Sequence, residues 1–103
     1  MNNSGVYHTS DIAYKEAIRK YLLKKNVLDL ENPVKKFKWK GTNDEAVGFI
    51  AQETEEWCPE AVGQDEEGYK TVNYTVALSG LCSALYDEVK TLRKEIEELK
   101  NKK

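Results

Sequence analysis

The last third of the chain repeats every seven residues. Leu78, Leu85, Leu92 and Leu99 fall at one heptad position, d, and Cys82, Val89 and Ile96 at the other seam position, a. An apolar stripe this narrow, sustained over three heptads, is the seam of a coiled coil. The flanks agree. Glu88 at g precedes Arg93 at the following e, and Glu95 precedes Lys100, pairs that complement each other between parallel chains in register. A helix this polar is marginal alone in water, so its seam needs a partner. Up to Leu85 the rest of the domain can supply part of that cover, but beyond Val89 little of a 103-residue chain is left to do so. The expectation is a parallel coiled coil over residues 75–103. Val and Ile at a with Leu at d lean towards two strands, a preference that three heptads hold only weakly.

Length and charge narrow the remainder. A chain of 103 residues has room for one domain with a modest core. With 33% charged residues and a mean hydropathy of −0.71, a small core beside a long solvated helix fits better than a compact sphere. The net charge of −2 argues against a generic nucleic-acid binder. Its distribution is more informative. Residues 1–42 carry nine basic and four acidic groups, whereas residues 43–67 carry nine acidic groups and no basic one. Such a block repels itself unless a basic surface faces it, within the chain or between chains. No apolar run approaches the length of a membrane span and no signal-type segment opens the chain, so neither membrane insertion nor export is expected. Cys58 and Cys82 with the lone His8 cannot build a structural zinc site, and no metal or cofactor is expected. The cysteine usage suits a reducing compartment.

Before the heptads the pattern is α+β. Ile12, Ala17, Ile18, Tyr21 and Leu22 follow helical spacing from Asp11 to Lys25, with Lys20, Lys24 and Lys25 in the closing turns. Lys36–Lys40 alternates strictly, placing Phe37 and Trp39 on one face of a strand. Gly41–Asp44 turns into a second strand at Ala46–Ile50. A short helix from Ala51 must end at Trp57, because Pro59 disfavours helical geometry at Cys58. Ala61-Val62 and Tyr69–Tyr74 read as a second hairpin around an acidic Gly63–Gly68 connection. Trp39, Phe49, Ile50, Val62 and Val72 are the expected core.

Little here can carry chemistry. No nucleotide loop, metal cluster or histidine-based triad exists, and His8 reads as a loop residue. The remaining candidate is Ser10 with Lys15, a spacing without meaning by itself. Along a helix five residues turn about 500°, some 140° out of register, so the two meet only if the chain turns near Asp11 or the lysine comes from a neighbour. A lysine of ordinary pKa near 10.4 must also fall by about three units, or ~4 kcal/mol, to deprotonate a serine at neutrality. An exposed segment cannot provide that environment, whereas a closed subunit interface can.

The segment Val47–Glu56, followed by Pro59-Glu60-Ala61-Val62 and by Gly68-Tyr69-Lys70-Thr71-Val72-Asn73-Tyr74, resembles the peptidase S74 family. These are the C-terminal intramolecular chaperone domains of phage tailspikes, tail fibres, endosialidases and neck appendage proteins. The resemblance runs in order from Ser10 to Leu99. It implies a parallel homotrimer, an α+β fold of N-terminal helix, two antiparallel hairpins and long C-terminal helix, and a cis partner in an upstream fibre or appendage domain whose folding is templated. No nucleic acid or membrane partner is implied. It further implies self-cleavage in host cytoplasm during phage assembly, with Ser10 as nucleophile, Lys15 as general base and Thr9–Ser10 as the scissile bond. Residues 1–9 would then precede the cut, residues 10–74 form the globular part and residues 75–103 the coiled coil. Asp11 and Gln52 are candidate supports of the dyad. Ala13 and Tyr14 stand where the family usually has arginine and leucine. An inert assembly module of the same fold is the competing reading, and the related self-cleaving domain of membrane-tethered transcription factors is a third.

Replacing both Val89 and Ile96 by Asp is expected to dissociate the assembly, because it buries unpaired charge in the seam. Sedimentation equilibrium checks this, and a monomer mass for the unaltered protein would overturn it.

Overall fold

A computed structural model describes residues 7–102. Its elements are two antiparallel hairpins, one short helix and one long helix. Strands β1 (Lys35–Lys38) and β2 (Glu45–Gly48) pair with Phe37 opposite Ala46. Helix α1 (Ala51–Trp57) follows, then β3 (Val62–Gln64) pairs with β4 (Lys70–Val72), with Val62 opposite Val72. Helix α2 spans Tyr74–Asn101, 28 residues, and gives the molecule its 60 Å long axis.

Local chemistry sets these boundaries. Asn73 caps α2 by accepting the Val76 amide at 3.1 Å, and its own amide donates to the Ala61 carbonyl at 2.7 Å, so one residue starts the helix and ties it to the preceding turn. Helix α1 ends at Trp57 as Pro59 requires, and Pro59–Ala61 forms a single 3-10 turn. Gly68, at φ 89, closes the acidic connection, where the Asp65 carboxylate accepts the amides of Glu67 and Tyr69.

The core lies where α1, the Pro59–Ala61 turn and the first turns of α2 meet. Phe49, Trp57, Cys58, Ala61, Ala77 and Leu81 are buried, with Leu23, Val27, Leu30, Val72 and Val76 packed against them. Thr54 is buried as well, its hydroxyl donating to the Ile50 carbonyl at 3.0 Å. Tyr74 meets the Phe49 ring edge-on at 5.2 Å and accepts the Phe49 amide. A side chain at Gly48 would overlap the Tyr74 hydroxyl and force that ring to shift.

Two expectations need correction. The helix over Asp11–Lys25 does not form. Only Ile12–Tyr14 makes a 3-10 turn, Ala17 takes a left-handed φ of 53°, and the chain then runs without regular structure to a second turn at Val27–Asp29. A helix of this length is marginal without a surface to bury its apolar face. Alternate residues are used instead: Tyr21 and Leu23 lie against Gly80 of α2, while the Lys24 amide donates to the Trp57 carbonyl at 3.0 Å. Trp39 is not core either. It is 58% exposed, packed edge-on against Phe37 at 5.1 Å, because a two-stranded hairpin has no second layer to cover it. Phe49 is buried as expected, and Ile50, Val62 and Val72 are half-buried.

The basic first third does face the acidic middle within the chain, through Lys25–Glu56, Lys35–Glu53 and Lys36–Glu45 at 3.3–3.7 Å. These pairs are largely solvated and contribute little individually. Among the described residues, no helix is long and apolar enough to cross a membrane.

Gly80 sits under the 20–25 strap with no room above it: a Cβ there would lie 2.7 Å from Leu23 and 3.2 Å from Tyr21. Gly80→Val is therefore expected to lower stability by about 1–3 kcal/mol through overpacking, despite the better helix former. The denaturant midpoint reads this. An unchanged midpoint would mean that the strap lifts away at no cost.

Candidate functional site

Ser10 and Lys15 meet within one chain. The Asp11 carboxylate accepts the Ala13 amide at 2.9 Å, capping a turn in which the Tyr14 amide donates to the Asp11 carbonyl and the Lys15 amide to the Ile12 carbonyl. Lys15 then leaves the turn in extended geometry, at φ −122° and ψ 144°. This reversal supplies what a continuous helix cannot, and Lys15 Nζ donates to Ser10 Oγ at 2.7 Å. A hydroxyl and an amine at that distance can exchange a proton once the amine is neutral. Thr9, Ser10, Asp11 and Lys15 are all exposed in the single chain.

The strap beyond Ala17 is held by five polar contacts. Lys20 pairs with Asp87 of α2 at 2.6 Å, and Lys25 with Glu56 of α1 at 3.3 Å. The Lys24 amide bonds to Trp57, as above. Between them, the Tyr21 hydroxyl donates to Glu60 Oε1 at 2.7 Å and lies 3.1 Å from the sulfur of fully buried Cys58. A phenol has one hydrogen, and the carboxylate takes it, so the Cys58 thiol donates to the Tyr21 oxygen. Partial burial pushes the Tyr21 hydroxyl well above its ordinary pKa, and donation to the Glu60 carboxylate adds to this. In return the Tyr21 hydroxyl holds the Glu60 carboxyl below the usual carboxylate range, with Lys24 assisting.

Gln52 is elsewhere. It is exposed on the first turn of α1, beside a groove lined by Phe37, Trp39, Ile50 and Tyr74, and among the described residues no hydrogen bond joins it to Ser10 or Lys15. The seven seam positions are exposed along one stripe of α2: Leu78, Cys82, Leu85, Val89, Leu92, Ile96 and Leu99. The helix meets the body with Ala77, Gly80 and Leu81 instead. Both cysteines are free thiols, and among the described residues no group of three histidine, cysteine or carboxylate side chains is placed to hold a metal ion.

Sequence reasoning missed the Tyr21–Cys58–Glu60 cluster, since its members are 37 and 39 residues apart and join only in the folded chain. One signal was available: a glycine inside a strong helical pattern, at Gly80, marks a close approach by another segment.

The family model Peptidase_S74, described as chaperone of endosialidase, matches residues 10–63. The match opens at Ser10 and runs through the first hairpin and α1 into β3. No curated protein matches the chain, and no solved structure does.

The Tyr21–Glu60 bond sets a pH signature. Glu60 has a lower pKa folded than unfolded, so it contributes stability that is present above the unfolded value and lost as the pH falls through the folded one. Tyr21→Phe removes the donor and should move the Glu60 carboxyl upwards, towards its ordinary range. Carboxyl-detected NMR titration measures this directly, and identical Glu60 curves in both proteins would refute the assignment.

Proposed function

The chain belongs to the Peptidase_S74 family, chaperone of endosialidase, and from that premise we propose that it is an intramolecular chaperone which trimerises, templates an upstream β-rich phage fibre domain, and cuts itself away between Thr9 and Ser10. The observation that carries the reading is the 2.7 Å bond between Ser10 and Lys15 at the opening of the family match.

The chemistry follows from that pair. Neutral Lys15 takes the Ser10 hydroxyl proton, and Oγ attacks the Thr9 carbonyl carbon. The tetrahedral intermediate collapses with rupture of the Thr9–Ser10 amide bond, and Lys15 returns the proton to the departing Ser10 nitrogen. The product is an ester between Thr9 and Ser10 Oγ. Water hydrolyses it to a Thr9 carboxylate and restores the hydroxyl on a chain that now begins at Ser10. The reaction cannot repeat, because its substrate was the bond preceding its own nucleophile.

Assembly supplies what the single chain lacks. An amine acts as a base only where water is excluded enough to favour its neutral form. The exposed seam on α2 supports association of copies, with complementary charges at Glu88 and Arg93, and at Glu95 and Lys100, favouring a parallel arrangement. The number three comes from the family. Cutting would then report a completed trimer, as release of a folding template requires. A second reading, an assembly module that keeps the fold without cutting, is favoured by Ala13 and Tyr14, which depart from the family's usual residues on the dyad turn itself.

Ser10→Ala and Lys15→Ala should each slow loss of residues 1–9 by at least about a hundredfold, while the assembled mass stays unchanged. Lys15→Arg should fail as well, because a guanidinium does not give up its proton. Intact mass over time reads all three. Unaltered protein that assembles yet stays whole would select the non-cutting module.

A further inference from the structure

The dyad lies on an arm with few ties to the body. Among the described residues, every hydrogen bond of residues 10–19 stays within that segment. The first bonds outward come from Lys20 and Tyr21. The Lys20–Asp87 pair joins side chains 58% and 41% exposed, where screening leaves little energy. Tyr21, 37% exposed, makes two bonds, one of them to a fully buried group. Its ring lies over Gly80 of α2, and its hydroxyl bonds both to the buried thiol at the end of α1 and to the carboxylate on the following turn.

Where this latch sits matters. Gly80 and Asp87 both occupy heptad position f, the side of α2 turned away from the a and d seam. The arm is therefore carried on the outer face of the assembly helix and leaves its inner face free. From Lys15 to Tyr21 the chain can span at most about 20 Å, so the latch limits where the dyad can be. Within that span Ala17 takes a left-handed φ of 53°, a conformation that costs alanine energy.

We infer that Tyr21 is a positioning residue for the cleavage: its hydroxyl, bonded to Glu60 and Cys58, fixes the Ser10–Lys15 arm to the outer face of α2. The inference rests on the self-cleavage reading. It differs from that reading in its consequence, since Tyr21 touches neither reacting group and its loss leaves Ser10 and Lys15 themselves unaltered.

The test compares the full chain with Tyr21→Phe, Glu60→Leu and Glu60→Gln in two readouts: loss of residues 1–9 by intact mass, and amide exchange at Lys24 by NMR. Tyr21→Phe keeps the ring over Gly80 and removes only the bonds. It should slow cutting by about tenfold or more and speed Lys24 exchange, with the assembled mass and the slow-exchanging amides of α2 unchanged. Glu60→Leu should do the same, and the double variant should be no slower than either single one. Glu60→Gln, whose amide oxygen still accepts, should restore both readouts, which a general loss of packing would not allow. Faster exchange with undiminished cutting overturns the positioning role, and unchanged exchange overturns the latch itself. If the unaltered protein never cuts while Lys24 is protected, the cleavage reading falls, and the positioning role with it. If it cuts and Tyr21→Phe cuts equally fast, only the present inference falls.

Discussion

Gly80 has no side chain, and three neighbouring side chains use the space. Leu23 and Tyr21 of the strap and the sulfur of Cys58 at the end of α1 all approach the same bare α-carbon on α2. Their convergence closes the core on one side, where Leu81 and Ala77 lie beside it. It also explains why the strap is extended. A helix there would present its apolar residues on one broad face, whereas the groove over Gly80 accepts two side chains at alternate positions and leaves the amide of the next residue, Lys24, to bond to Trp57. Packing against α2 outweighs a helical preference that was marginal to begin with.

The long helix consequently serves two surfaces. Ala77, Gly80 and Leu81 belong to the body, with Asp87 receiving the strap, while the seam from Leu78 to Leu99 stays open. Leu85, Val89, Leu92, Ile96 and Leu99 are each between 48% and 64% exposed. A run of this kind is costly in water, and a second copy presenting the same stripe removes the cost. Because the strap occupies the f face, docking of the arm and docking of a partner do not compete for the same residues. Under the proposed function, that separation lets the dyad arm be mounted before the seam closes.

Much of the architecture was legible in residue order. Pro59 ended α1 where its steric conflict with a helical Cys58 requires, the strict alternation around Phe37 and Trp39 marked a strand, and the heptads marked the helix. The errors share a cause. Asp11–Lys25 carries helical spacing, but spacing states only which residues could share a face, not whether a surface exists to bury it. Trp39 alternates correctly, yet a pleat has two faces and the hairpin covers neither fully.

The candidate site divides in the same way. Ser10, Asp11 and Lys15 are close in sequence, and a short capped turn is enough to bring hydroxyl and amine together, so that pair was readable as residues whose chain must bend. The heptad repeat was likewise a property of the sequence alone, since period and charge placement do not depend on what folds beside them. Tyr21, Cys58, Glu60 and Gly80 had no such local pattern. They come from the strap, the end of α1, the following turn and α2, and only the folded chain makes them neighbours. Periodicity is encoded within one segment, whereas a hydrogen-bonded cluster drawn from several segments depends on distances between them, and those are set by how the side chains pack.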